Sequence, residues 1–267
     1  MRKIIIPIIA LFFISCEDDL TKTVDSATAI EALTEYATIN KVFQDVGNNS
    51  GDGVLSAENT TTGKMYGTKN NGPIITIAPF DLTTFPKEIT IDYGTGILCE
   101  DGITRKGIIN IRSTNWYGVE GSEHTTTFTN FYHNDYKVEG THFTKNLGEN
   151  SEGFLEYSVI IENGKITTKE GKTITFKENT TRTWVAGFNT PFNIWDDEYK
   201  LDGTQSGVSS KGVEYSLTIE ESLHFVLLPR SIKSGILDID VANLKDIKIN
   251  YTTSTITILG VTFPFDV

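Results

Sequence analysis

From about residue 60 onward, short β-branched and aromatic runs alternate with Gly, Asn and Asp. Leu155, Tyr157, Val159 and Ile161 alternate with Glu156 and Ser158, the period of two expected of a strand with one buried face. Asn163-Gly164 follows at once and predicts a type I′ hairpin turn, with 165–168 as the returning strand. Similar runs fall at 88–93, 107–112, 125–132, 136–144, 173–176, 182–186, 213–219, 223–228, 235–239, 247–251, 255–259 and 261–265. No helical period separates them, so crossover units and a parallel sheet are not expected. The pattern predicts an antiparallel β-meander over 60–267, closed as a barrel or packed as a sandwich.

Ahead of it the period is helical. Ile30, Leu33, Ala37, Val42, Phe43 and Val46 recur near 3.6, Asp25-Ser26 supplies an N-cap, and Glu31 and Glu35 lie toward the positive end. These predict one amphipathic helix over 26–47, ended by Gly47-Asn48-Asn49. The fold class expected is therefore mainly β, preceded by one N-terminal amphipathic helix. Two echoes recur along the chain. Tyr136-Lys137-Val138-Glu139-Gly140-Thr141 returns as Tyr199-Lys200-Leu201-Asp202-Gly203-Thr204, and Gly107-Ile108-Ile109-Asn110-Ile111 returns as Gly235-Ile236-Leu237-Asp238-Ile239. Their offsets differ, so they predict recurrent strand-to-turn chemistry rather than a solenoid.

The first residues carry an address. Met1-Arg2-Lys3 precedes an apolar run from Ile4 to Ile14, too short to span a bilayer core of about 30 Å. This reads as a signal peptide over 1–15. Phe13-Ile14-Ser15-Cys16 resembles the lipobox of bacterial lipoproteins, which implies acylation of Cys16, palmitate included, and an outer-membrane anchor. Glu17-Asp18-Asp19 behind it, in an acidic tether over 16–25, resembles the surface-export signal of Bacteroidota lipoproteins. The expected location is the cell outer membrane, with the body exposed at the cell surface.

Charge narrows the partners. The chain has 267 residues and a net charge of −12; loss of Arg2 and Lys3 leaves 21 basic against 35 acidic residues, a net −14. Such a surface repels phosphate backbones, so nucleic acid is not an expected partner. The expected partners are the membrane, through the N-terminal lipid, and a glycan or another envelope protein.

Phe85-Pro86-Lys87-Glu88-Ile89-Thr90-Ile91-Asp92-Tyr93-Gly94 and Asp101-Gly102-Ile103-Thr104-Arg105-Lys106-Gly107 resemble uncharacterised surface lipoproteins of Bacteroidota. Thr181-Arg182-Thr183-Trp184-Val185-Ala186-Gly187-Phe188 and Gly260-Val261-Thr262-Phe263 extend the resemblance across most of 26–267. It implies a secreted, anchored β protein and brings no active-site residues with it.

Chemical motifs are sparse. Asn48 to Asn59 resembles a degenerate EF-hand loop, but Asn59 stands where the bidentate Glu belongs, so the stretch reads as a helix exit. His124, His133 and His142 are nine apart, a spacing that changes face along a strand, and they read as surface positions rather than metal ligands. Cys99 has no base beside it and reads as an unpaired thiol. No catalytic motif, metal site or cofactor site is expected. Trp116 and Tyr117, and Trp195 before Asp196-Asp197, are the candidate ligand-binding residues, as platforms for sugar rings near turns. Trp184 reads as core. The reading is a lipid-anchored envelope protein with a binding or scaffolding role. The alternative is a carbohydrate-active enzyme or glycan-binding surface protein, an enzyme drawing on Asp92, Glu139, Asp196, Asp197 or Asp202.

Overall fold

The computed structural model describes residues 26–61, 72–187, 196–227 and 230–264. The signal peptide, Cys16 and the acidic tether lie outside the described residues, as does Trp195. One helix, α1 (Ser26–Thr61), precedes the strands β1 (Ile74–Ala78), β2 (Lys87–Asp92), β3 (Ile97–Leu98), β4 (Thr104–Ser113) and β5 (Glu123–His133). Then come β6 (Tyr136–Glu149), β7 (Leu155–Thr167), β8 (Thr173–Ala186), β9 (Glu198–Val208) and β10 (Glu214–Leu227). The last are β11 (Arg230–Val241), β12 (Leu244–Asn250), β13 (Thr255–Ile258) and β14 (Val261–Pro264). All 14 strands belong to one antiparallel sheet in chain order, with short β3 appended to β4. The meander is the one the alternating pattern predicts, and the sheet is open, with β1 and β14 at its two edges.

The helix is longer than expected. It passes through Gly47, Gly51 and Gly53 and runs for 36 residues. Its inward stripe is Ala29, Ala32, Tyr36, Ile39, Phe43, Val46, Ser50, Gly53 and Ala57, spaced alternately by three and four. Beyond Val46 that stripe holds small or polar residues, so the apolar pattern fades although the helix continues. Each helical glycine costs about 1 kcal/mol relative to alanine. Close approach to the sheet offsets that cost. A Cβ on Gly53 would lie 2.7 Å from Ile91 Cδ1, and one on Gly47 would lie 2.9 Å from His142 Nε2. The EF-hand-like stretch is therefore helical to Asn59, and its oxygens do not form a loop.

Gly51 differs from its neighbours. A Cβ there would meet the Tyr117 ring at 3.8 Å, an ordinary contact. Gly51→Ala is expected to raise stability by about 0.5–1 kcal/mol through helix propensity alone. Urea unfolding with an unchanged m-value would record it; a destabilised variant would mean that the helix needs the glycine there.

The sheet curves around α1, which touches β1, β2, β4, β8, β10 and β11. Kinks supply the curvature. Asn163-Gly164 is not a hairpin turn: β7 runs through it, and Asn163, at φ 53°, is a bulge against both β6 and β8. Buried positions are odd before it (Tyr157, Val159, Ile161) and even after it (Gly164, Ile166). Gly140 of β6, at φ 122°, faces this bulge, and a Cβ there would lie 2.7 Å from the Asn163 carbonyl oxygen. Gly107 faces Asn130 and Gly235 faces Ser222 at register shifts in the same way, and Gly203 approaches the Asn179 carbonyl within a regular pairing. Those are the glycines of both sequence echoes. The repeats mark mid-strand kinks, not turns, because bending a sheet requires an extra residue in one strand and backbone room in the next.

Two core clusters result. The larger packs Ile39, Val42, Phe43, Val46 and Val54 against β2 and β4–β8; the smaller packs Ala29 and Ala32 against β9–β13. A buried polar seam crosses between them. The Tyr36 hydroxyl donates to Gln205 Oε1 (2.6 Å), whose amide donates to Glu178 (3.1 Å), as does the Thr180 hydroxyl (2.8 Å). Burial raises the Glu178 pKa against the pull of those donors.

Candidate binding surface

The expected aromatic platform does not form at Trp116. The ring is buried, sits edge-on to Phe85 at 5.2 Å, and donates its indole N–H to the Leu82 carbonyl (3.2 Å). It has no face free for a sugar. Tyr117 is half-buried between Tyr157 (5.1 Å) and His124 (4.9 Å). Chain reversal at 114–122 turns both rings inward, Tyr117 against Gly51 of α1 and Trp116 against Phe85, which periodicity along a strand does not reveal.

Trp116 instead belongs to a lysine cage. Lys87 is fully buried at the start of β2, and its Nζ donates to the Pro79 carbonyl (3.0 Å), the Asp81 carbonyl (2.6 Å) and the Asp81 carboxylate (3.1 Å). The ammonium also lies 5.2 Å from the Phe85 ring centroid and 5.6 Å from that of Trp116. Backbone N–H groups of Thr84 and Thr83 hold the Asp81 carboxyl well below its usual range, and Lys87 adds to this. Lys87→Met would leave two carbonyls without their donor, so a loss of about 2–3 kcal/mol is expected. The change should be visible as altered Trp116 fluorescence; an unchanged emission and midpoint would show the cage to be dispensable.

The histidines are not at the surface. His124, His133 and His142 are all buried: the bulge at Asn130 (φ 48°) changes the parity of β5 between His124 and His133, and His142 lies on the inward face of β6 with Thr144 and Asn146. Each finds a different neighbour. His124 contacts the Ser113 hydroxyl through Nδ1 (2.8 Å) and Ser122 through Nε2 (3.2 Å); His133 Nε2 meets Asp45 (3.0 Å); His142 lies under Gly47. Among the described residues, no group of three or more His, Cys, Asp or Glu could hold a metal ion. Cys99 is a half-buried free thiol near the Ile97 carbonyl.

The carboxylates are dispersed. Asp92 on β2 caps the turn at Gly94, Glu139 on β6 binds Lys137 (3.2 Å) and Lys165 (2.9 Å), and Asp202 on β9 accepts from Ser222. Each of these strands is three away from the next in the sheet. At about 4.8 Å per strand that is roughly 14 Å, beyond the ~5–9.5 Å between the carboxyl groups of glycosidases. Asp197 packs against Gly187, away from all three.

The outer face offers another arrangement. Lys106, Tyr132, Lys137 and Thr167 are successive cross-strand partners on β4, β5, β6 and β7. They line a trough of about 470 Å³ bounded by the turns at Gly96, Asn134 and Thr168. A second concavity of about 360 Å³ adjoins it at Thr95 and Lys106 and reaches Asp92 over Gly94 and Gly107. Lys106 Nζ sits 4.4 Å from the Tyr132 ring centroid rather than beside a carboxylate. Tyr132 carries no motif; what could have singled it out is its place beside the Gly107–Asn130 kink, legible only with the register known.

The fold and this surface define a class: an open antiparallel sheet wrapped on one long helix, with a polar trough on its outer face. No family model, curated protein or solved structure matches the chain.

Proposed function

We propose that this chain is a lipid-anchored protein of the bacterial cell envelope that acts by binding rather than by catalysis. The observation that carries the binding half is the Lys106–Tyr132–Lys137 row, an aromatic ring against the Lys106 ammonium with Lys137, paired to Glu139, on the next strand, in a trough open to solvent. Hydroxyls, amides, lysines and Asp135 alternate around it, which suits a hydroxyl-rich ligand such as a glycan and gives an apolar one little to bury. The dispersed carboxylates favour this over the enzymatic alternative. Anchoring rests on the lipobox-like sequence ending at Cys16; two acyl chains give stable attachment where one is marginal.

A glycan array probed with the full chain tests the binding half. Tyr132→Ala should weaken any hit roughly tenfold, the loss expected from one stacking contact. No hit at all would leave only scaffolding. For the anchor, metabolic acyl labelling should label the wild type and spare Cys16→Ala; equal labelling would rule it out. Protease treatment of intact cells should remove the domain if it faces outward, and full protection would place it inside.

A further inference from the structure

The two halves of α1 are held differently. Up to Phe43 the buried stripe is apolar and aromatic, with Glu35 on Ser210 and Tyr36 on Gln205 beside it; from Asp45 onward the stripe itself turns small and polar. Asp45 meets His133, Asn49 Oδ1 accepts from the Tyr93 hydroxyl (2.9 Å), and Ser50 Oγ accepts from Thr126 (3.1 Å). Gly47 lies on the His142 ring, and Gly51 on Tyr117, whose ring lies tilted against His124. Val46, Val54 and Ala57 supply the apolar contacts of this half. Beneath it, His133 Nδ1, His142 Nδ1 and Arg182 Nε are buried without hydrogen-bond partners. Helix propensity is also weakest here, with Gly47, Gly51 and Gly53 in one stretch.

We propose that the second half of α1 is an acid-released latch, pivoting near Gly47, whose opening is driven by protonation of His142 beneath it. A charged imidazolium cannot be solvated under the helix backbone, and Arg182 of β8 already presents positive charge to it. Burial, with Arg182 adding to it, lowers the His142 pKa from 6.5 to about 4. Lifting the latch removes the burial, the larger cause, and lets the pKa of the ring rise toward its ordinary value. Opening therefore takes up a proton between pH 6.5 and 4, and stability of the closed latch falls with pH through that window; above it there is no drive. His124, buried behind Tyr117 and also lowered to about 4, adds in the same direction.

Other charges on the seam set limits. The His133–Asp45 contact (3.0 Å) opposes release, while Asp101 lies within electrostatic reach of His133 and is paired with Arg105. Glu178 faces Arg182, and Asp52 on the latch acts on Tyr117. The first half of α1 stays closed because Ile39, Val42 and Phe43 are buried in apolar packing and Tyr36 is tied to Gln205.

Hydrogen exchange of the full chain at about pH 7 and about pH 5, corrected for intrinsic rates, tests this. Amides of 48–61 should gain up to roughly 20-fold in opening from His142 alone, while those of 30–43 and of β9–β12 stay as they were. A flat response, or an equal rise everywhere, would overturn the proposal. His142→Gln should remove most of the pH dependence, leaving the part that His124 contributes, and keep the protection seen at neutral pH. If that variant does not fold, the wild-type His142 ring decides by proton NMR. Titration coincident with loss of protection at 48–61 supports the latch, and titration near the ordinary value with protection intact overturns it.

Discussion

Valine in place of Gly140 is expected to cost about 4 kcal/mol and to lower the unfolding midpoint by roughly 10 °C. Two effects add. A φ of 122° is a backbone conformation that β-branched residues do not adopt, and the new Cβ would meet the Asn163 carbonyl oxygen at 2.7 Å and the Gly164 Cα at 2.8 Å. Those neighbours are backbone in a paired strand, so neither can swing aside. Gly153 is the control. It also has positive φ, but a Cβ there meets nothing within 4 Å, so Gly153→Asn should cost little more than the left-handed conformation itself, about 1 kcal/mol. Differential scanning calorimetry of both variants separates the effects. Equal losses would mean that the kink is not a close approach.

Phe43→Ala is expected to cost about 3–5 kcal/mol, the range for emptying a fully buried aromatic site. The ring is inaccessible to solvent, stacks on Phe176 at 5.7 Å and meets Phe128 edge-on at 6.4 Å. Its Cζ also lies 3.1 Å from where a Cβ on Gly164 would be, so the helix seats one ring in the bulge that Gly140 faces from the other side. The sites share a neighbour, and their losses should not add. A double variant losing the full sum in chemical unfolding would show the bulge to be rigid without its ring; a smaller loss would show that ring, bulge and glycine form one unit. Phe43→Leu should recover most of the loss.

The same neighbourhood shows how local signals misled. Asn163-Gly164 satisfies the chemistry of a two-residue turn, and a bulge uses the same positive φ at Asn163. Only pairing on both flanks distinguishes them, and pairing is a property of β6 and β8. The echoed glycines at 140 and 203, and at 107 and 235, are visible in the chain, but their role is set by the carbonyl across the strand gap. His124 and His133 read as surface positions because nine residues should change face; one bulge residue restores it.

Some properties needed no tertiary information. Period-two alternation over 60–267, with no helical period between runs, determined an antiparallel meander, since each strand then has one apolar face and a short reversal to its neighbour. The apolar spacing before residue 47 determined a helix. The lipobox-like sequence at Cys16 and the acidic balance can be read only in the chain. The tertiary structure decided how far the helix runs, because a stripe of Ser50, Gly53 and Ala57 carries no hydrophobic signal and is held by the sheet it approaches. It decided which aromatics face solvent, turning Trp116 inward and leaving Tyr132 in the trough. It also decided that His133 and His142 lie beneath α1 and that His124 is buried behind Tyr117. These depend on register and curvature, which arise only when distant strands pair.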